Sequence, residues 1–295
     1  MTALARWRAS AISLLGASLL LLGLLISPRT PWRTLVEPLA PLSGLLAVAG
    51  VLLLVGGAVL ALARRYSRRL RCQYSSPTTI VLVTLGAWLL STLAVAPLLL
   101  LQPGTRRITV ATFLLAGVVL YAALLGAVYW LVIRPGHSSW RAMGLSPADA
   151  TRTAAYWPLA TLGLFAIATA TEWALQQLGV RQTQLDSLQW LRQVPLWQYL
   201  LVAVMAAVVA PVVEEIYFRG WVFRALRERY GDPLAYLGSS LLFALVHLNV
   251  QALVPILAIA LFLAYVYQRT GSIVPGIIAH AFNNALAFAV LYFGR

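Results

Sequence analysis

Runs of about 20 consecutive apolar residues, separated by short polar stretches, recur along this chain from residue 9 to residue 293. A helix needs about that length to cross a hydrocarbon core roughly 30 Å thick. The pattern predicts nine spans, at 9–27, 39–63, 79–102, 108–133, 154–178, 196–223, 234–250, 253–268 and 273–293. The runs are continuously apolar and do not alternate, which excludes a transmembrane β-barrel. The expected fold class is all-α, a polytopic transmembrane helix bundle of eight or nine spans. Arg6 and Arg8 precede the first run as they would in a signal peptide. Pro28 and Arg29 follow it with no small-x-small cleavage site, so it reads as a retained span.

Composition agrees with the pattern. The 295 residues are 61% hydrophobic and 10% charged, with a mean hydropathy of +0.84, too few polar side chains to cover a soluble globule of this size. The net charge of +14 comes from 22 arginines and no lysine. In a soluble domain it would suggest nucleic acid. Here the arginines sit in short loops, so they are read as setting orientation and meeting anionic lipid headgroups, with no nucleic-acid partner. With the N-terminus in the cytoplasm, 15 arginines fall inside and 7 outside, which supports an N-in, C-out orientation; the expected location is a prokaryotic plasma membrane. Cys72 is the single cysteine, so no intramolecular disulfide and no multi-cysteine metal site can form.

Three parts are expected. Residues 1–133 carry no Asp, Glu, Arg or His within a span, and small residues such as Gly44, Gly50, Gly56 and Gly57 suit close helix packing, so they read as anchor and scaffold. Residues 134–153, with Gly136 and Pro147, read as a cytoplasmic linker. Residues 154–295 hold the polar groups inside spans. The chain has no internal repeat, which weakens an inverted-repeat transporter.

The sixth span contains Glu214 and Glu215 side by side. A charge at mid-bilayer costs about 2.5–3.5 kcal/mol on insertion scales, so partners are expected for both. Glu215 and Arg219 stand at i and i+4 with the acid N-terminal, the better orientation for an ion pair. Glu214, about 100° around the helix, is left outside that pair, and a carboxylate so placed suits a general base that takes a proton from water. The alternative, that both glutamates only tie helices together, stands open on this span alone. The seventh span carries Phe243 and His247 at i, i+4, where the ring could fix the imidazole, and the ninth carries His280 and Asn284 on one face. At about 1.5 Å per residue, His247 lies about 20 Å above Pro233, His280 about 13 Å above Gly271 and Glu214 about 15 Å from the Arg224 end of its helix. Comparable depth favours one polar site opening toward the cytoplasm.

These motifs, Glu-Glu-x-x-x-Arg, Phe-x-x-x-His and His-x-x-x-Asn in this order on three late helices, resemble those of the CAAX-processing and bacteriocin-processing (CPBP) endopeptidases, relatives of the type II CAAX prenyl endopeptidases. Ala210-Pro211 before the glutamates, Phe218-Arg219-Gly220 after them and Gly271-Ser272-Ile273 before His280 agree. The resemblance covers roughly residues 154–295. It implies an intramembrane endopeptidase acting on a peptide or protein that enters from the membrane or the cytoplasmic side. Glu214 and His247 would activate water and move protons, and His280 with Asn284 would stabilise the oxyanion. Glu215, Arg219 and Phe243 are the structural support. No cofactor is obligatory. Zinc held by Glu214, His247 and His280 is the metal-dependent version, although the His-Glu-x-x-His signature is absent.

Two other classes compete. A non-catalytic peptide-binding or immunity scaffold of the same fold would be expected to lack a motif residue, and none is missing. A proton-coupled transporter would show pH-coupled uptake without a cleavage product. Among the remaining polar residues, Glu172 near the outer end of the fifth span reads as an interfacial acid, His137 as a solvated loop residue and Asp232-Pro233 as the turn into the seventh span.

Overall fold

A helix interior that is apolar all round needs no surrounding water, and the chain builds its architecture from such helices. A computed structural model describes residues 76–100, 108–146, 155–177, 184–250 and 252–294, together with the single positions 15, 18, 148, 151 and 153. The predicted span at 9–27, apart from the helical Leu15 and Ser18, and the span at 39–63 lie outside the described residues, as does Cys72. Seven helices follow: α1 (Pro77–Leu100), α2 (Val110–Ile133), α3 (Tyr156–Gln177), α4 (Leu196–Tyr230), α5 (Asp232–Val246), α6 (Leu253–Thr270) and α7 (Val274–Phe293). There is no strand among the described residues.

Six of these are long and apolar enough to cross a membrane. The protein is an integral membrane protein of the all-α class. Two boundaries depart from expectation. The sixth span does not stop at 223 but continues to Tyr230 as a 35-residue rod. The predicted span 234–250 is a 15-residue helix that ends at Val246, about 22 Å of rise, short of a full crossing. Its end is set by backbone geometry: Leu248, two residues on, takes a left-handed φ of 54°, which a helix cannot continue through.

Two compact units are present. Residues 1–85 with 228–230 form the first, in which the Ser76 hydroxyl accepts the Thr79 N–H to cap α1, and Thr84 donates its hydroxyl to the Ile80 carbonyl. Residues 86–227 with 231–295 form the second. In the second, α3, α6 and α7 pack closely because small residues let them. A Cβ on Gly163 of α3 would sit 2.5 Å from the Phe262 ring of α6, and Ala160, Val266 and Ala279 meet beside it. At one end the short helical turn Gln184–Gln193 buries Leu191 against Val110, Val202 and Leu291, while Arg192 Nε donates to the Leu291 carbonyl at 2.6 Å.

At the other end the 134–146 stretch is packed against the helices. Met143 is fully buried against Gly220 of α4, and Gly144, at φ +82°, brings its backbone so near the α6–α7 turn that a Cβ there would lie 2.3 Å from the Gly271 carbonyl oxygen. Ser272 Oγ donates to the Gly144 carbonyl at 2.9 Å, and Arg224 donates to that of Ala142. His137 is exposed in this loop.

Candidate active site

Pro211 decides the local path of α4. In this stretch the helix widens into an i→i+5 turn over Met205–Val209, and Pro211 has no N–H to give to the Ala206 carbonyl five residues back. The Ala210 N–H reaches back to Met205, and the residue after it is Pro211. The Ala206 carbonyl accepts instead from Asn284 Nδ2 of α7, at 2.9 Å. An α-helical turn, Ala210–Glu214, comes next, and then a second wide stretch, Glu215–Phe223, all nine of whose residues are buried. Glu214 stands at the junction of the two α4 segments.

The two carboxylates have different surroundings. Glu215, with 1% of its side chain exposed, accepts from Arg219 Nη1 at 2.9 Å. Arg219 also donates through Nη2 to the Ala260 carbonyl of α6 at 2.9 Å and lies with its guanidinium carbon 4.7 Å from the Phe243 ring centre. The i, i+4 pair of the sequence is therefore a buried ion pair that joins α4 to α6 and α5. Gly276 of α7 faces the same carboxylate, and a Cβ there would come within 3.2 Å of Glu215 Oε2.

Glu214 keeps 13% of its side chain exposed and has two neighbours. The Tyr121 hydroxyl of α2 donates to Oε1 at 3.3 Å, and His280 Nε2 of α7 lies 3.8 Å from Oε2. The other nitrogen of His280, Nδ1, is 3.3 Å from Glu215 Oε1. His280, buried, is thus set between the two glutamates. Two carboxylates, one guanidinium and one imidazole share a small buried volume, and the charges balance when His280 is protonated.

His247 caps the C-terminus of α5. Its Nδ1 lies 2.8 Å from the Phe243 carbonyl, and because a carbonyl only accepts, the neutral ring carries its proton on Nδ1 and leaves Nε2 basic. The Phe243 ring connects the group: its centre is 4.8 Å from that of His247, 5.9 Å from that of His280 and 5.0 Å from that of Phe218. Asn283 Nδ2 approaches Asn284 Oδ1 at 3.5 Å.

The structure thus brings Glu214, Glu215, Arg219, Phe243 and His280 into one connected cluster, with His247 joined through Phe243 and Asn284 anchored on α4 nearby. Tyr121 and the Ala206 carbonyl escaped the sequence reading. A lone tyrosine hydroxyl at mid-span in 108–133 was the available signal for the first; for the second it was a proline inside an apolar helix. Among the described residues no three His, Cys, Asp or Glu side chains gather so as to hold a metal ion. Glu214, His247 and His280 are not gathered into such a group.

Comparison with known proteins adds the family. Residues 195–286, which contain all three motifs, match the family described as type II CAAX prenyl endopeptidase Rce1-like. The curated "Putative membrane peptidase YdiL" of Bacillus subtilis (strain 168) is 36% identical over 84 residues, 28% of this chain and 34% of that protein. The match therefore spans about a third of the relative's length. No solved structure matches the chain. For this part of the chain the resemblance read from the motifs is borne out.

Proposed function

We propose that this chain, a CPBP-family protein over residues 195–286, is an intramembrane endopeptidase in which Glu214 activates the attacking water. One observation carries the choice of residue. Of the two adjacent carboxylates, Glu215 is ion-paired with Arg219 and 1% exposed, whereas Glu214 keeps 13% of its side chain exposed and has Tyr121 and His280 beside it. A general base must reach its water, and only Glu214 can.

The steps follow from the placement of the side chains. Glu214 takes a proton from water as its oxygen attacks the scissile carbonyl carbon. Negative charge then develops on the carbonyl oxygen, where the second N–H of the Asn284 amide and the His280 N–H are the donors. His247, with Nε2 basic, carries the proton to the departing amine as the C–N bond breaks. Tyr121 holds Glu214 in place throughout. The substrate is a peptide or protein that enters from the membrane or the cytoplasmic side, and the enzyme works in a prokaryotic plasma membrane with its N-terminus in the cytoplasm.

The test begins by finding a substrate: peptides left uncut in the membrane proteomes of both a deletion strain and a Glu214→Gln strain. Purified Glu214→Gln and His247→Ala are each expected to lose cleavage of that substrate by at least about 100-fold. Intact cleavage by either overturns the mechanism. Chelated, metal-free protein is expected to retain full activity; loss that added zinc restores would establish the metal-dependent version.

A further inference from the structure

A cavity of about 270 Å³ lies between α3, α6 and α7. Phe165, Leu185, Pro255 and Ile256 contribute apolar wall, and Asn284, the residue held on Ala206, is part of its lining. The cavity therefore shares Asn284 with the candidate site. Its volume is near the lower end of about 300–1,000 Å³ for ligand pockets, room for one large side chain.

Among the described residues the wall contains a single carboxylate, Glu172, and no arginine. The sequence alone reads Glu172 as an acid reaching for the interface, and the helix stripe it occupies also brings it to this cavity. Phe165, Ala168, Thr169, Glu172, Leu175 and Gln176 all line the cavity, the spacing of one face of α3. Glu172 lines the cavity and is itself exposed, as are Phe165, Thr169 and Gln176, so the cavity is open along α3. Among the described residues Glu172 has no ion-pair partner. One turn back on the same stripe, the Thr169 hydroxyl donates its proton to the Phe165 carbonyl at 2.8 Å, leaving only lone pairs for the cavity. A carboxylate and a hydroxyl acceptor, with no cation among the described residues, form this part of the wall.

The geometry points to a substrate subsite for a cationic group, a lysine or arginine side chain or a free peptide amine, with Glu172 as its counter-ion. The apolar wall takes the methylene stem and Glu172 takes the charged head. On α7 the lining runs from Asn283 to Val290, about 10 Å of helix, which an extended peptide covers in about three residues, so the cation is expected within about three residues of the scissile bond.

This inference rests on the endopeptidase reading, and the experiment separates the two. The full chain in lipid nanodiscs is given matched random decapeptide pools: one rich in Lys and Arg, one with these replaced by norleucine, one with Glu instead, and an N-acetylated copy of the basic pool. Cleavage sites and rates are read by mass spectrometry. Wild type is expected to cut the basic pool at least tenfold faster than the norleucine pool. Glu172→Gln should remove that preference while leaving the norleucine rate unchanged, and Glu172→Lys should turn it toward the Glu pool. A basic pool that is cut at least tenfold more slowly once acetylated assigns the peptide amine; one whose rate is unchanged by acetylation assigns the side chain. If wild type cuts all pools, acetylated included, at one rate, or Glu172→Lys still favours the basic pool, the subsite is overturned and the endopeptidase stands. If wild type cuts none, both fall.

Discussion

At the scale of the residue, the neighbouring glutamates should fail in different ways. Glu215→Gln leaves the buried Arg219 without its counter-ion, and breaking one partner of a buried pair costs about 3–5 kcal/mol. A fall in the thermal unfolding midpoint of the purified protein in detergent is the expected result, with Glu214→Gln close to wild type in the same assay. Tyr121→Phe removes a hydrogen bond to a charged acceptor, worth about 1.5–3 kcal/mol, so kcat should fall about tenfold or more while KM holds. The first of these contrasts was legible in the sequence, because i, i+4 spacing depends only on helix geometry. Tyr121 was not, because its partner is 93 residues away and nothing local says that α2 passes beside α4.

Elements carry strain and close approach. Leu248 ends α5 in the left-handed region, where a non-glycine residue costs about 1–3 kcal/mol. Leu248→Gly should therefore raise the unfolding midpoint, and a drop would show that the Leu248 side chain gives more in packing than its backbone loses. Gly144 is the opposite case. Gly144→Ala puts a Cβ 2.3 Å from the Gly271 oxygen at a φ of +82°, and should lower the midpoint by disturbing the α6–α7 turn that leads to His280. The helices themselves were readable from apolar run lengths, since α1, α2, α3, α6 and α7 fall within a few residues of their predicted limits. The early end of α5 and the extension of α4 to Tyr230 were not. They depend on a backbone angle at one loop residue and on how the 134–146 stretch packs, neither of which hydropathy records.

For the whole molecule, stability in acid should report on one exposed junction. Arg227 Nε, 2.7 Å from Asp232, holds that carboxyl below its ordinary value; burial opposes this slightly, and a hydrogen bond from Gln268 of α6 adds to it. A carboxyl lowered in the folded state contributes stability above its unfolded value of about 4, and that contribution disappears as pH falls through the folded value. Asp232→Asn should therefore flatten the dependence of the unfolding midpoint on pH below about 4 and leave acid-independent stability almost unchanged, because the pair is half exposed. Orientation belongs to the same scale. A reporter fused after Arg295 that is active only outside the cytoplasm should be active, in line with the arginine asymmetry.

The wide turn before Pro211 has a consequence for anyone who would move this site elsewhere. Pro211 and Asn284 lie on different helices, yet the missing N–H of the one leaves a carbonyl that the amide of the other occupies. The side-chain orientation of α7 is in this sense written into the backbone of α4. Grafting Glu214, His247, His280 and Asn284 onto another bundle without the proline would transplant the letters and lose the grammar: the Ala206 equivalent would recover a backbone donor, and the asparagine would swing free.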